Sequence, residues 1–135
     1  MTEDYLHYIW KHRLFETNEL KTISGEPVTI IHSGNHNKNA GPDFLEVKVK
    51  IGETLWAGHV ELHVYSSDWQ KHNHQTDKAY NNVVLHVVYA DDGAALREDG
   101  TEIPTLELKG LFDEMGYWRY EQFVSAKRFM ACGEL

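Results

Sequence analysis

The sequence predicts an α/β domain: a mixed β-sheet flanked by helices, in the order helix, three strands, short helix, strand, then a hairpin and a closing helix. Three observations carry this. Apolar residues recur at helical spacing near the N-terminus, two runs alternate through the middle, and residues 83–89 are apolar except at His86.

Residues 4–15 place Tyr5, Leu6, Ile9, Trp10, Arg13 and Leu14 on one stripe, with Thr2 or Asp4 as the cap. Ser24-Gly25-Glu26-Pro27 is a turn, and residues 28–32 form a short β-branched strand. A polar loop over 33–42 follows. Over 44–51, Leu45, Val47, Val49 and Ile51 are expected on one face, with Phe44, Glu46, Lys48 and Lys50 on the other. Gly52-Glu53 turns the chain into an antiparallel strand over 55–65, where His59, Glu61, His63 and Tyr65 share a face. A short helix is predicted over 69–74 behind Ser66-Ser67-Asp68, with Asp68 as its cap, and a helical turn over 77–81. The run at 83–89 suits a strand covered on both faces. A hairpin is expected from 95–97 and 103–109. A helix over 110–131 has Leu111, Met115, Trp118, Phe123 and Phe129 as core candidates, and Trp10, Trp56, Trp69 and Trp118 are expected in the core.

The 135 residues suit one domain spanning 1–135, and 41% hydrophobic with 12% aromatic residues can build its core. No apolar run approaches the ~20 residues of a membrane span. The acidic start Met1-Thr2-Glu3-Asp4 lacks a signal peptide's pattern, and one cysteine, Cys132, excludes an internal disulfide framework; a cytoplasmic location is expected. The net charge of −8 disfavours a nucleic-acid partner, because such affinity comes largely from neutralised phosphates. Carboxylates offset by a bound metal, and nine histidines, soften that objection.

Residues with chemical potential concentrate between Asn35 and His86. Pro42-Asp43 opens the second long strand and Glu61-Leu62-His63 lies on the third, so an antiparallel pairing brings Asp43 and Glu61 within reach of one ion, strands being ~4.8 Å apart. Hard oxygen ligands around a divalent metal suit phosphodiester hydrolysis, because the metal offsets developing charge and activates water. Asp43, Glu61 and His63 are therefore the candidate catalytic residues, His63 as base or ligand. Asp43, Glu61, His72, His74 and Asp77 are the candidate metal ligands. Magnesium or manganese is expected before zinc. His72 and His74 are two apart, so they can share an ion only if the chain is turned between them. His59 shares the Glu61 face as a further ligand or supporting group. His86 is expected to be a hydrogen-bonded core residue. Asn35, Asn37 and Lys38 are candidate substrate contacts. Glu46-Val47-Lys48 is excluded as a motif because it lies on the same strand as Asp43.

The element order, Pro42-Asp43 and Glu61-x-His63 resemble the PD-(D/E)XK restriction-endonuclease-like superfamily, with histidine where that pattern has lysine. This implies a metal-dependent nuclease. The alternatives are a non-nuclease metalloprotein, with zinc or iron on His59, His63, His72 and His74, and a non-catalytic interaction domain. The strings Tyr5-Leu6-His7-Tyr8-Ile9-Trp10, Asn39-Ala40-Gly41-Pro42-Asp43-Phe44, Gly58-His59-Val60-Glu61-Leu62-His63-Val64, Ser67-Asp68-Trp69, His72-Asn73-His74, Asp77 and residues 80–89 resemble domain-of-unknown-function family 2851. That resemblance implies a bacterial cytoplasmic protein. Members are typically longer, so an additional domain or a homo-oligomer is an expected partner.

Overall fold

A computed structural model describes residues 1–133, with side chains as far as Lys127. Helix α1 (Glu3–His12) starts where the Thr2 hydroxyl accepts the Tyr5 amide at 3.2 Å. It ends where Arg13 takes a left-handed conformation (φ 51°), earlier than its apolar spacing predicts, which leaves Leu14 exposed. Tyr5, Leu6, Ile9 and Trp10 are buried against the sheet, and the Trp10 indole donates to the Ser33 carbonyl at 2.9 Å.

The sheet contains β1 (Val28–His32), β2 (Asn35–His36), β3 (Phe44–Ile51), β4 (Thr54–Tyr65), β5 (Val83–Ala90) and β6 (Thr105–Glu107). Its order is β1-β3-β4-β5-β6, with β2 paired to the start of β3. β1, β3 and β4 are antiparallel neighbours, whereas β5 runs parallel to both β4 and β6. The sheet is thus mixed. The connection from β4 to β5 carries the short helix α2 (Asp68–Lys71) and two 3₁₀ turns, His74–Thr76 and Lys78–Tyr80.

Strand β3 departs from simple alternation. Phe44 pairs with Val60 but Val47 pairs with Gly58, so β3 holds one residue more than β4 over that interval. The extra residue is absorbed at Glu46, whose φ is +58°. This bulge puts Phe44 and Val47 both in the core and moves Leu45 to a half-buried position, correcting the expected two-face pattern. Close approach also governs Gly58. A Cβ there would lie 2.5 Å from the Asn82 carbonyl oxygen and from a Val84 methyl. Glycine therefore lets β5 enter the sheet directly beside β4.

The hairpin expected after β5 is a single bridge, Leu96 to Glu102, and its second arm continues as β6 beside β5. The Ile103 amide donates to the Ala95 carbonyl at 2.8 Å before the chain joins the sheet. Helix α3 (Glu114–Gly133) corrects a second expectation. Met115, Trp118 and Phe123 are exposed. The helix instead meets α1 through Tyr117 and Tyr120, whose rings pack at 5.2 and 5.1 Å from that of Tyr5. Trp56 is also exposed, although Val49 opposite it in the ladder is buried. Phe129 and Cys132 have side chains outside the described residues.

Candidate metal centre

Asp43 and Glu61 meet where β3 begins beside β4. The Asp43 amide donates to Glu61 Oε1 at 3.1 Å, and the Leu62 amide donates to Asp43 Oδ2 at 2.8 Å. The two side chains thus replace main-chain carbonyls at the end of the ladder, so the carboxylates are held at fixed positions. The bulge at Glu46 sets this register. From α1, His7 brings Nε2 to 3.4 Å from Asp43 Oδ2.

Two imidazoles meet the other oxygen of Glu61, and a third, His72, joins them through His63. His63 projects from β4 on the same face as Glu61, and its Nε2 lies 3.3 Å from Glu61 Oε2. His74 Nε2 lies 2.8 Å from that oxygen. His63 Nε2 and His72 Nδ1 are 3.2 Å apart. One nitrogen each from His63, His72 and His74 falls within 4.8 Å of the others. Local backbone makes this convergence. Helix α2 ends at Lys71, and Asn73 takes a left-handed conformation (φ 59°), a region that Asn tolerates better than most residues. That reversal folds His74 back beside His72, with ring centroids 5.5 Å apart. Trp69 and Tyr80 wall the cluster, Tyr80 stacking on His74 at 3.8 Å.

Behind the cluster, His63 Nδ1 and His86 Nε2 are 2.7 Å apart. His86 is fully buried in β5, the hydrogen-bonded core residue the sequence predicts, and its bonding partner is a member of the cluster.

Charge is distributed unevenly. Burial and the neighbouring Asp43 push the Glu61 carboxyl far above the carboxylate range. Asp43 goes the other way: burial opposes its ionisation, but His7 and the Leu62 amide outweigh that and hold it low. The His7 pKa is raised, because Asp43 overcomes the effect of burial. Burial and the adjacent imidazoles push His63 down to about 2, burial and His72 push His74 down to about 4, and burial and His74 push His86 down to about 3. The 2.8 Å contact between His74 and Glu61 is therefore between two neutral groups at neutral pH. His74 Nε2 is buried, with Glu61 Oε2 as its polar neighbour.

These residues suit a nitrogen-preferring divalent metal. A tetrahedral ion with ~2.0–2.1 Å metal–nitrogen bonds has its donor atoms about 3.3 Å apart. The His63–His72 and His63–Glu61 separations of 3.2 and 3.3 Å match that spacing.

Residues 3–135 match the family model described as Protein of unknown function (DUF2851). The chain belongs to this family. No curated protein and no solved structure matches it.

Within this family member, the remaining site expectations separate. Asp43, Glu61, His63, His72 and His74 come together. Asp77 does not join them: it is exposed, and its Oδ1 accepts the Ala79 amide at 2.9 Å to cap the second 3₁₀ turn. Asp68 is not the cap the sequence predicts: Ser67 holds that position, and Asp68 Oδ2 accepts the Tyr65 amide at 3.2 Å, tying the end of β4 to α2. Asn37 is spent on the loop. Its Nδ2 donates to the Ala40 and Pro42 carbonyls at 3.1 and 2.9 Å, and its Oδ1 accepts the Asn39 amide at 3.1 Å. It shapes the approach to Asp43. Asn35 donates to Glu46 Oε2 at 3.2 Å, and Lys38 is exposed. His59 stays outside the imidazole group, its Nδ1 buried without a partner.

Sequence reasoning missed His7 and Glu3. Both lie on α1, and Glu3 has its pKa raised by burial and by Asp43. Their i, i+4 spacing was the available signal, since it places both on one helix face beside the apolar stripe.

Proposed function

We propose that this chain is a metal-dependent phosphodiester hydrolase whose ion is held by Glu61, His63, His72 and His74. The observation that carries the reading is the approach of His74 Nε2 and His63 Nε2 to Glu61 Oε2, at 2.8 and 3.3 Å, beside a group of three imidazoles. The nitrogen-rich donor set favours manganese, zinc or iron over magnesium, a shift from the oxygen-based expectation.

When bound, the metal would supply charge stabilisation and, at a coordination position beyond these four residues, an acidified water. The chain's own groups supply the rest. Asp43, kept ionised by His7 and the Leu62 amide, is an anionic group beside the cluster, suited to orient water or a second cation. His63 serves as a ligand, because burial leaves its Nε2 facing His72 and Glu61 and its Nδ1 on His86. His72 is the exposed member, so substrate would approach from its side.

Support for a nucleic-acid substrate is the order of α1, three antiparallel strands, α2 and β5, with Asp43 and Glu61 adjacent, as the restriction-endonuclease-like pattern requires. The net charge of −8 weighs against it. A second reading, a non-catalytic metal site, is favoured by the burial of Glu61, His63 and His74, which are 4%, 1% and 8% exposed. Among the described residues no helix is long and apolar enough to cross a membrane. A cytoplasmic setting is the proposal that goes with a single cysteine.

The test is hydrolysis of single-stranded DNA, duplex DNA, RNA and a small aryl phosphodiester with manganese, zinc and magnesium. Cleavage that requires manganese or zinc and is lost in Glu61→Gln supports the reading. Tight metal binding without turnover of any substrate would leave the non-catalytic site.

A further inference from the structure

The sheet face that carries Glu61 and His63 is covered at only one end. Trp69, Tyr80 and the turns around them shield it beside β5. Over β1, β3 and the first half of β4 it is open, with Ile31 51% and Leu55 63% exposed. There it forms a groove of about 680 Å³ whose lining includes Ile31, His32, Glu46, Lys48, Ala57 and His59.

The groove lies on the same strand face as the metal centre. Alternate residues of β4 share a face, so Ala57, His59, Glu61 and His63 follow one another along one line, each step spanning about 6.8 Å. His59, where the groove ends, is one step along that line from Glu61.

Its charge differs from that of the chain as a whole. The molecule has 21 acidic and 13 basic residues. On this face, however, His32 pairs across the ladder with Lys48, and Thr29 pairs with Lys50. Among the described residues neither lysine has a carboxylate within salt-bridge distance, and the one acid of the groove, Glu46, already accepts from Asn35. Two free ammonium groups and two imidazoles border an apolar floor of Ile31 and Ala57. Such a surface offers cations to the phosphates of an unpaired nucleic-acid strand and an apolar floor, without stacking aromatics, to its bases.

We propose that the open face of β1, β3 and β4 is a track for single-stranded nucleic acid, running along β4 toward the end that carries the metal centre. The inference rests on the phosphodiesterase reading for its purpose, and its test is separable from it. Binding of a fluorescent oligonucleotide, DNA or RNA, is measured by anisotropy in chelator, at about 50 and 200 mM salt, where phosphate contacts are read from the salt dependence. Wild-type turnover of the small aryl phosphodiester with manganese or zinc tests the catalytic reading alone.

The expected result is binding that weakens at least tenfold in the Lys48→Glu, Lys50→Glu double variant, with a log–log salt slope smaller by about 1 per lysine removed. Lys109→Glu, an exposed lysine elsewhere on the chain, leaves binding unchanged. No wild-type binding, or equal binding by the double variant, would overturn the track whether or not the small ester is hydrolysed. A double variant that converts a wild-type dimer to monomer would assign the face to a second copy and overturn it too. Oligonucleotide binding lost in the variant, with no ester turnover by the wild type, would keep the track and remove the catalysis.

Discussion

His74 Nε2 and Glu61 Oε2 lie 2.8 Å apart, and at neutral pH neither group is ionised. Two electron-rich atoms at that distance need a cation between them, a proton or a metal ion. Glu61, whose pKa is raised by burial and by Asp43, supplies the proton. A metal ligand must be deprotonated, so an incoming ion replaces this proton.

Metal binding should therefore release about one proton per ion at pH 7, from Glu61, because His63 and His74 are already neutral there. Affinity should rise close to tenfold per pH unit through the neutral range. Calorimetry in buffers of different ionisation enthalpy measures the proton count. A count near zero would mean that Glu61 is not a ligand.

The left-handed turn at Asn73 gives a second test. Asn73→Gly keeps the conformation available, whereas Asn73→Val meets a steric cost of about 1–2 kcal/mol or more there. Glycine should preserve metal affinity. Valine should lower it at least tenfold, by separating His72 from His74. Equal affinities would show that this turn does not assemble the site.

His86 should act through His63. A metal on Nε2 of His63 would require the ring proton on Nδ1, which would then donate to His86 Nε2, 2.7 Å away. His86→Leu leaves that buried N–H without an acceptor, a cost of about 1–3 kcal/mol. Metal affinity should fall 10–100-fold, the usual effect of removing a ligand's supporting partner. Unchanged affinity in a folded variant would remove His86 from the centre.

The stability of the metal-free protein should peak near pH 6.5. Below that value the unfolded chain protonates its histidines, whereas His63, His74 and His86 resist down to about 2, 4 and 3. The unfolded state then binds more protons and stability falls with acid. Above it, Glu61 and His7 hold protons that the unfolded chain gives up more readily, so stability falls as pH rises. Added manganese or zinc should lift the alkaline limb. Melting temperatures across pH 4 to 9, with and without metal, check both limbs.

Much of this was legible in the sequence. Alternation over 55–65 placed Glu61 and His63 on one face, and Pro42-Asp43 at the head of β3 placed Asp43 opposite Glu61. The meeting of His72 and His74 was legible only as a condition, because nothing in the spacing states that Asn73 takes a positive φ. The bulge at Glu46 was hidden for the same reason: it is a backbone irregularity inside an apparently clean alternation. Met115, Trp118 and Phe123 were misplaced because hydrophobicity does not say which face of a helix finds a partner, and α3 meets α1 through tyrosines instead.

The most direct measurement is calorimetric titration of the metal-free protein with manganese and zinc, beside Glu61→Ala and a His72→Ala, His74→Ala double variant. One ion per chain, with binding lost in both variants, is the predicted result. No binding by the wild type, or binding that survives both sets of substitutions, would contradict a metal centre built on Glu61 and the three histidines.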